Sequence, residues 1–424
     1  MSISLNSQTK KALVEILKFS LENPYSDFYR RKYAPLKLKH INEDNIGNIF
    51  VSLPLLTKDD LLASPPFDRI FTKIHSPYVI SSTSGTTGKG PVIIFINTPS
   101  ETAEGQLTWG KINAQCGLFL FPPGVQWQLL TTMIRAFPVY IGNPYQMKET
   151  AEIASRIKID TIATTPTALQ HFLIFLEPAY DISKIKHILF RGEPLSKAQQ
   201  TFFRNKFPNA IFNLLYGMRE AGQIGVQCDV LSMREEPIYH LRSDKFFIEI
   251  LPAENEEAGE LVLTHLRKDP TLLIRYRTGD LGWFLRDEKC SCELNFPLFK
   301  LFGRNRRETI HAGGVVFEAE TFNVILKDFL ENIQNNFEAH FYQRLIQDKI
   351  QYDIVVRVIP KGSVNEMLKI RLEESLNNRL RISNRFSFSE LIRQDLFSPI
   401  KVEFADPDTQ IYKMPLLYKL VSHF

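Results

Sequence analysis

The residues best suited to chemistry stand at positions 81–91, SSTSGTTGKGP. Hydroxylated side chains, three glycines and one lysine are crowded there between the apolar runs IHSPYVI and VIIFIN. Glycines let backbone amides converge, hydroxyls donate to phosphate oxygens, and Lys89 adds a positive charge, so the composition suits a phosphate grip. A bland flexible connector would share that composition. A Walker A loop needs four residues between its first glycine and the Gly-Lys pair, then Ser or Thr. Only two threonines separate Gly85 from Gly88 and Lys89, and Gly90 follows the lysine, so the ordinary P-loop is excluded.

Stepping out from that loop, strand-like runs (YVI, PVIIFI, TIATT, IKHILF, IFNLLY) alternate with helical stretches (QMKETAEIASRIK, TALQHFLIFLE, SKAQQTFFRNKF). This spacing predicts crossover units on a largely parallel sheet. FFIEIL, GELVLTHL and LLIRYRTGDLGWFL then predict an antiparallel section. Ahead of the loop, SQTKKALVEILKFSLENP has helical periodicity with Pro24 as its stop. Thr57 is the expected N-cap of a helix carrying Asp59 and Asp60 in its first turn. Past LFGRNRRE, the runs TFNVILKDFL, YDIVVRVIP and NEMLKIRLEESLNNRL predict a small α+β domain. The expected fold class is therefore α/β, with a large domain at 1–306 of mostly parallel sheet and a small one at 307–424.

The 424 residues are 44% apolar and 23% charged, ordinary values for a soluble chain large enough for more than one domain. Fifty-one Lys+Arg against 47 Asp+Glu leaves a charge of +4. That excess is too small and too scattered for a nucleic-acid footprint. No window reaches the ~18–20 apolar residues of a membrane span, and the start lacks a secretory pattern, so a cytoplasmic location is expected. Four cysteines do not make a disulfide scaffold.

TSGTTGKGP resembles the phosphate-gripping signature of the adenylate-forming acyl and aryl CoA-ligase superfamily. RGEPLS, YGMRE, YRTGDLG and GRNRRETIHAGGVVFEAE follow in the family's order. NPYSDFYRRKY and LPLLTKDDL narrow the likeness to the phenylacetate-CoA ligase-like branch. The resemblance covers nearly the whole chain and implies the two-domain fold of that superfamily. It implies an ATP- and magnesium-dependent enzyme that joins a carboxylic acid to AMP and then to the thiol of coenzyme A.

The roles it implies are specific. Thr83, Ser84, Gly85, Thr86, Thr87, Gly88 and Lys89 would hold the departing phosphates, with Thr86 and Lys89 among the catalytic groups. Gly192, Glu193, Pro194 and Tyr216 would surround adenine, with Gly217 also in the ATP site, and a Tyr216 ring could stack on the purine or simply fill a strand-end core. Glu220 matches the magnesium-associated glutamate. Asp280 matches the acid that accepts the ribose hydroxyls, although its TGD turn also suits a structural Asx-turn. Arg304 matches an arginine near ribose and phosphate. Arg219 stands where the family has threonine, and either grips phosphate or swings into solvent. Arg306 aligns with the hinge of a mobile small domain, and Gly313 and Gly314 with a loop beside the thiol channel. Lys413 aligns with the catalytic lysine, with Lys419 as the alternative and a solvated tail lysine as the bland account.

Some members of the branch hold a structural zinc. Here Cys228, His240, Cys290 and Cys292 would supply a Cys₃His set, against the alternative of unligated cysteines. The apolar stretch at 116–140, including Gln126, Trp127, Leu129, Leu130 and Met133, lies where the family builds its acid pocket. An aryl acid or a fatty acyl chain would suit such a surface, and the resemblance implies an aromatic or aryl-alkanoic acid; the same residues also suit ordinary packing of sheet on helices. The thiol acceptor would be coenzyme A or the pantetheine of an acyl carrier protein, and a homodimer stays open. A nucleotide-binding protein that kept the fold without ligation is the reading from a different class, motivated by Arg219, Arg306 and the tail IYKMPLLYK.

Overall fold

Thr57 closes a capping box on the helix Lys58–Ala63. Its hydroxyl accepts the Asp60 N–H at 3.2 Å and its own N–H donates to the Asp60 carboxylate at 2.7 Å. Upstream, the helix Ser7–Glu22 buries Leu13, Ile16 and Leu17 along one stripe and stops at Asn23, just ahead of Pro24. These features belong to a computed structural model that describes residues 5–36, 38, 40–72, 78–82, 92–97, 109, 112–121, 127–193, 195, 197–234, 236–252, 258–304, 309–313, 315–346, 349–362, 366–382, 387–405 and 418–423. The chain separates into two compact units, one of 1–164, 175–192 and 209–305, the other of 165–174, 193–208 and 306–424.

In the first unit β1 (Tyr78–Ser82) and β2 (Ile93–Asn97) form an antiparallel pair that brackets the glycine-threonine loop. The remaining strands are β3 (Gly117–Leu120), β4 (Val139–Ile141), β5 (Thr161–Thr164), β6 (His187–Arg191), β7 (Ile211–Met218), β8 (Gly222–Val226), β9 (Ile238–Leu241), β10 (Phe246–Pro252), β11 (Gly259–His265), β12 (Tyr276–Phe284) and β13 (Leu298–Arg304). They make an 11-stranded sheet in the order β10-β11-β12-β13-β9-β8-β7-β6-β5-β3-β4. Pairing is parallel from β4 through β7 and antiparallel from β7 to β10. The predicted parallel core and antiparallel section are thus one sheet that changes sense at β7. Ligands of such sheets gather at the carboxyl ends of parallel strands, and β6 and β7 end in RGEP and YGMRE.

Residues 116–140 supply β3, β4 and the helix Trp127–Met133. Leu129, Leu130 and Met133 are buried in a cluster with Trp109, Phe119, Phe121 and Phe137. The Trp109 indole N–H donates to Thr132 Oγ1 at 3.0 Å. A Cβ on Gly117 would collide with Met133 Cε and come within 2.6 Å of Phe137 Cε2, so the strand needs glycine to let that helix close. Each such fully buried side chain is worth about 1.5–3 kcal/mol, which makes packing the main work of this stretch. Gln126 lies outside the described residues.

The second unit continues the strand series. It contains the hairpin β14 (Thr309–Ala312) and β15 (Val315–Glu318), and a four-stranded sheet of β16 (Ile333–Ile346), β17 (Lys349–Pro360), β18 (Lys401–Phe404) and β19 (Tyr418–His423) in the order β18-β17-β16-β19. The helices Ala319–Leu326, Glu366–Arg379 and Phe388–Arg393 complete an α+β unit. Its core is aromatic, Phe317 lying 5.0 Å from Phe341 and 5.3 Å from Phe397 between ring centroids. No helix of the described residues is long and apolar enough to cross a membrane.

Candidate active site

The switch strand β7 and the antiparallel strand β12 bring two carboxylates under the control of two tyrosines. Tyr216, near the end of β7, donates its hydroxyl to Asp280 Oδ2 at 2.8 Å. Tyr276, the first residue of β12, donates to Glu220 Oε1 at 3.3 Å. Asp280 is 8% exposed and Tyr276 4%, so one acid is held beneath a nearly closed surface and the other by a buried phenol.

Local chemistry explains why β12 presents Asp280. Gly279 has φ +74°, a left-handed conformation that favours glycine. Its N–H donates to Glu260 Oε1 at 3.2 Å, and the same carboxylate receives Arg277 Nε at 3.1 Å. The local turn acceptor for the Asp280 N–H is the Thr278 hydroxyl, at 3.1 Å, while the Asp280 carboxyl receives the distant Tyr216. The start of β12 is pinned by Arg275, which donates to both Glu249 oxygens, at 3.1 and 2.9 Å, with both side chains 8% exposed. Removing one partner of such a buried pair typically costs about 3–5 kcal/mol, so Tyr276 has a rigid foundation.

Tyr216 is itself fixed by rings. It meets Phe299 edge-on at 5.6 Å and Tyr239 at 6.0 Å, and is 7% exposed. The structure thus places this tyrosine in an aromatic core with its hydroxyl on Asp280. Beside it, a Cβ on Gly217 would strike the Gly222 carbonyl and lie 2.9 Å from an Arg191 guanidinium nitrogen. Arg304 ends β13, and its backbone pairs directly opposite Asp280.

Arg219 neither swings free nor is buried outright. Its guanidinium donates to the carbonyl of Ser82, the last residue of β1 before the glycine-threonine loop. Burial lowers its basicity, and neighbouring Glu220 partly offsets this. Arginine therefore ties the loop's root to the β7 end, which no shorter threonine side chain would span. The loop at 83–89, Pro194, Arg306, Gly314 and Lys413 lie outside the described residues. Gly192 is exposed with φ +94°. Glu193 falls in the second unit, where its carboxylate accepts the Thr167 N–H at 3.3 Å. Tyr276 and Glu260 are the residues that motif reading passed over. Tyr276 lies inside YRTGD, but only the fold reveals that it reaches Glu220.

The AMP-binding enzyme family matches residues 53–241. The phenylacetate-coenzyme A ligase of Escherichia coli (strain K12) is 26% identical over 363 residues, covering 80% of this chain and 81% of that one. Its counterpart from Pseudomonas putida is 23% identical over 367 residues, covering 81% of each. The chain is thus similar to AMP-binding enzymes and to phenylacetate-coenzyme A ligases. Its fold is shared with a crystal structure of 2-hydroxyisobutyryl-CoA ligase in complex with 2-HIB-AMP and CoA. It aligns with 97% of this chain and 89% of its own, at a TM-score of 0.65 and 16% identity.

The chain carries a second constellation in its first unit. Cys228, His240, Cys290 and Cys292 bring one ligand atom each within 4.8 Å of the others. Cys228 Sγ lies 3.5 Å from Cys290 Sγ, and Cys292 Sγ lies 3.2 Å from His240 Nε2. His240 is fully buried on β9, directly across from Leu298 of β13, and the two nearby cysteines sit in the β12–β13 connection. Its Nδ1 faces the Phe296 carbonyl at 3.4 Å. A carbonyl only accepts, so Nδ1 carries the proton and Nε2 presents its lone pair to the sulfurs. Burial, with the neighbouring thiols, pushes the Cys228 thiol up to about 12. Three thiols and one imidazole lone pair at these separations fit a tetrahedral cation with bonds of about 2.0–2.3 Å.

Proposed function

We propose that this protein uses ATP to convert a carboxylic acid, of the aromatic or aryl-alkanoic class, into an acyl adenylate, and then passes the acyl group to coenzyme A. The observation that carries the reading is the pair of tyrosine-held carboxylates, Asp280 within β12 and Glu220 just past the end of β7. Tyr216 occupies one oxygen of Asp280 and orients the carboxyl for ribose hydroxyls. Glu220, oriented by Tyr276, would hold magnesium, which supplies charge neutralisation at the phosphates. The Thr83–Lys89 segment and Arg304 would steer the phosphates. The acid's oxygen attacks the α-phosphorus while the bond to the β-phosphate breaks and pyrophosphate departs with the electron pair. A thiolate then attacks the acyl carbon and AMP leaves. Arg306 would serve as hinge between domains at 1–306 and 307–424, with Gly313 and Gly314 lining the thiol's path.

The acid class rests on the phenylacetate-CoA ligases of Escherichia coli and Pseudomonas putida. Aryl and fatty acids supplied with ATP and magnesium, with and without coenzyme A, test it through acid-dependent pyrophosphate release. Release with an aryl acid and appearance of its CoA thioester is the expected outcome. Release without any CoA product would point to a carrier-protein acceptor. ATP binding without release on any acid would favour a nucleotide-binding protein that does not ligate.

We also assign the Cys228–His240–Cys290–Cys292 set to structural zinc, clamping the β12–β13 connection whose strands carry Asp280 and Arg304. Purified protein should contain about one zinc per chain. Cys290→Ser should remove it and lower Tm by on the order of 5–10 °C, the effect of losing several kcal/mol in a domain of this size. Less than about 0.2 zinc per chain in the unaltered protein overturns the assignment.

A further inference from the structure

In the second unit a polar cluster joins Glu193, from the segment assigned to adenine, to Thr165, Thr167 and Tyr352, three side chains that neither the nucleotide reading nor the zinc assignment uses. The helix Pro166–Leu176 begins at Thr165, whose hydroxyl accepts the Ala168 N–H at 3.1 Å. Glu193 places a carboxylate oxygen on the Thr167 N–H and also receives the Thr165 and Thr167 hydroxyls. On the other side stands Tyr352 of β17. Its phenolic oxygen accepts Gln343 Nε2 at 2.8 Å and the Gly313 N–H, which leaves its own proton for the Thr167 hydroxyl oxygen, whose proton goes to Glu193. Thr167 therefore touches Glu193 and Tyr352 alike, and Tyr352 touches the turn of the β14–β15 hairpin.

The hairpin turn depends on this floor. Gly313 has φ +57°, and a Cβ there would lie 2.6 Å from Phe397 Cε2 and 3.1 Å from Leu396 Cδ2. Phe397 in turn stacks on Tyr352, with centroids 5.1 Å apart at 26°. Backbone bonds tie the same two segments together. Tyr352 N–H donates to the Leu396 carbonyl at 3.0 Å, and Ser398 N–H to the Tyr352 carbonyl at 2.9 Å. One ring thus supports Gly313 by contact while the neighbouring phenol receives its N–H. Burial beside Glu193 pushes the phenol up to about 12, so it stays a neutral hydroxyl throughout the working range.

We propose that Tyr352 is a positioning residue for the second half-reaction: its hydroxyl, linked through Thr167 to Glu193, seats the Gly313 turn in the one placement that leaves the thiol's path open. The inference rests on the ligase reading and deepens it, because Gly313 belongs to the loop assigned to the thiol. Tyr352 belongs to the second unit and Asp280, Glu220 and Tyr216 to the first, and the proposal places its effect on the transfer step.

The test uses the full chain and the substitution Tyr352→Phe, which keeps the stacked ring and removes only the hydroxyl. Acid-dependent ATP–pyrophosphate exchange should stay within about twofold, whereas single-turnover transfer from acyl adenylate to coenzyme A should fall about 10-fold, the usual consequence of orphaning a buried N–H. Amide hydrogen exchange across 309–318 should quicken by about the same factor. Thr167→Val, which removes the acceptor of the Tyr352 hydroxyl proton, should shift both readouts in the same direction by less. Equal losses in both half-reactions, or unchanged transfer in Tyr352→Phe, overturn the proposal. If no acid supports pyrophosphate exchange in the unaltered protein, the ligase reading falls by itself. Amide exchange at 309–318 then still decides the seat, and unaltered protection in Tyr352→Phe overturns it.

Discussion

Asp280→Ala lowers kcat/KM for ATP in acid-dependent pyrophosphate exchange by roughly 10²- to 10⁴-fold. A carboxylate that accepts two ribose hydroxyls makes two charge-assisted hydrogen bonds, each worth about 1.5–3 kcal/mol, and alanine removes both. Asp280 is 8% exposed, so little water is available to replace them. Tyr216→Phe supplies the graded companion. It deletes the 2.8 Å hydrogen bond that orients Asp280 but leaves the charge in place. A neutral hydrogen bond nets about 1 kcal/mol, so the expected loss is roughly fivefold. The two variants share the Phe299 and Tyr239 packing, so unchanged Tm in Tyr216→Phe separates orientation from folding. An Asp280→Ala enzyme within about threefold of the unaltered protein removes the ribose role altogether.

The order of those effects depends on a register that sequence could not supply. YGMRE and YRTGD marked Tyr216, Glu220 and Asp280 by type. The exchange of partners, Tyr216 with Asp280 and Tyr276 with Glu220, arises because β8, β9 and β13 fill the sheet between β7 and β12. Four strand-to-strand pairings decide it, and no spacing along the chain encodes them. Arg219 makes the same point. Its reach to the Ser82 carbonyl spans two parts of the chain brought together only by folding, and composition left both directions open.

Elements with a clean period were legible, and those without one were not. The helices at 147–157, 166–176 and 197–206 fall where apolar residues recur at helical spacing, and β10 and β11 alternate or flank clear turns. GLFL of β3 is buried along its whole length, and a strand covered on both faces shows a continuous apolar run that also reads as a pocket wall. GQIGV of β8 is equally buried and rich in glycine, which hides a strand from propensity. The cysteine-histidine set is divided in the sequence, Cys228 and His240 standing far from Cys290 and Cys292. Pairing of His240 against Leu298 closes that distance, because antiparallel neighbours lie about 5 Å apart whatever the loop between them.

Lys413→Ala should cut acid-dependent pyrophosphate exchange by roughly 10²- to 10³-fold, the scale of losing one fixed electrostatic donor to a transition state. Charge grows on the phosphoryl oxygens as pyrophosphate leaves, so a lysine delivered to them stabilises the transition state more than bound ATP. Lys419 is the competing residue, and the fold separates the two. The backbone of Lys419 is committed to β19, in register with Glu338 of β16, so bringing it to a phosphate would require breaking a strand from the sheet. Lys413 precedes that strand in the sequence. Lys419→Ala is therefore expected to stay within about fivefold, as for a solvated charge. Supplying preformed acyl adenylate sharpens the comparison, because a lysine that serves only phosphate departure leaves transfer to the thiol at full rate. Full-rate exchange in Lys413→Ala, or a larger loss in Lys419→Ala, would move the role away from Lys413.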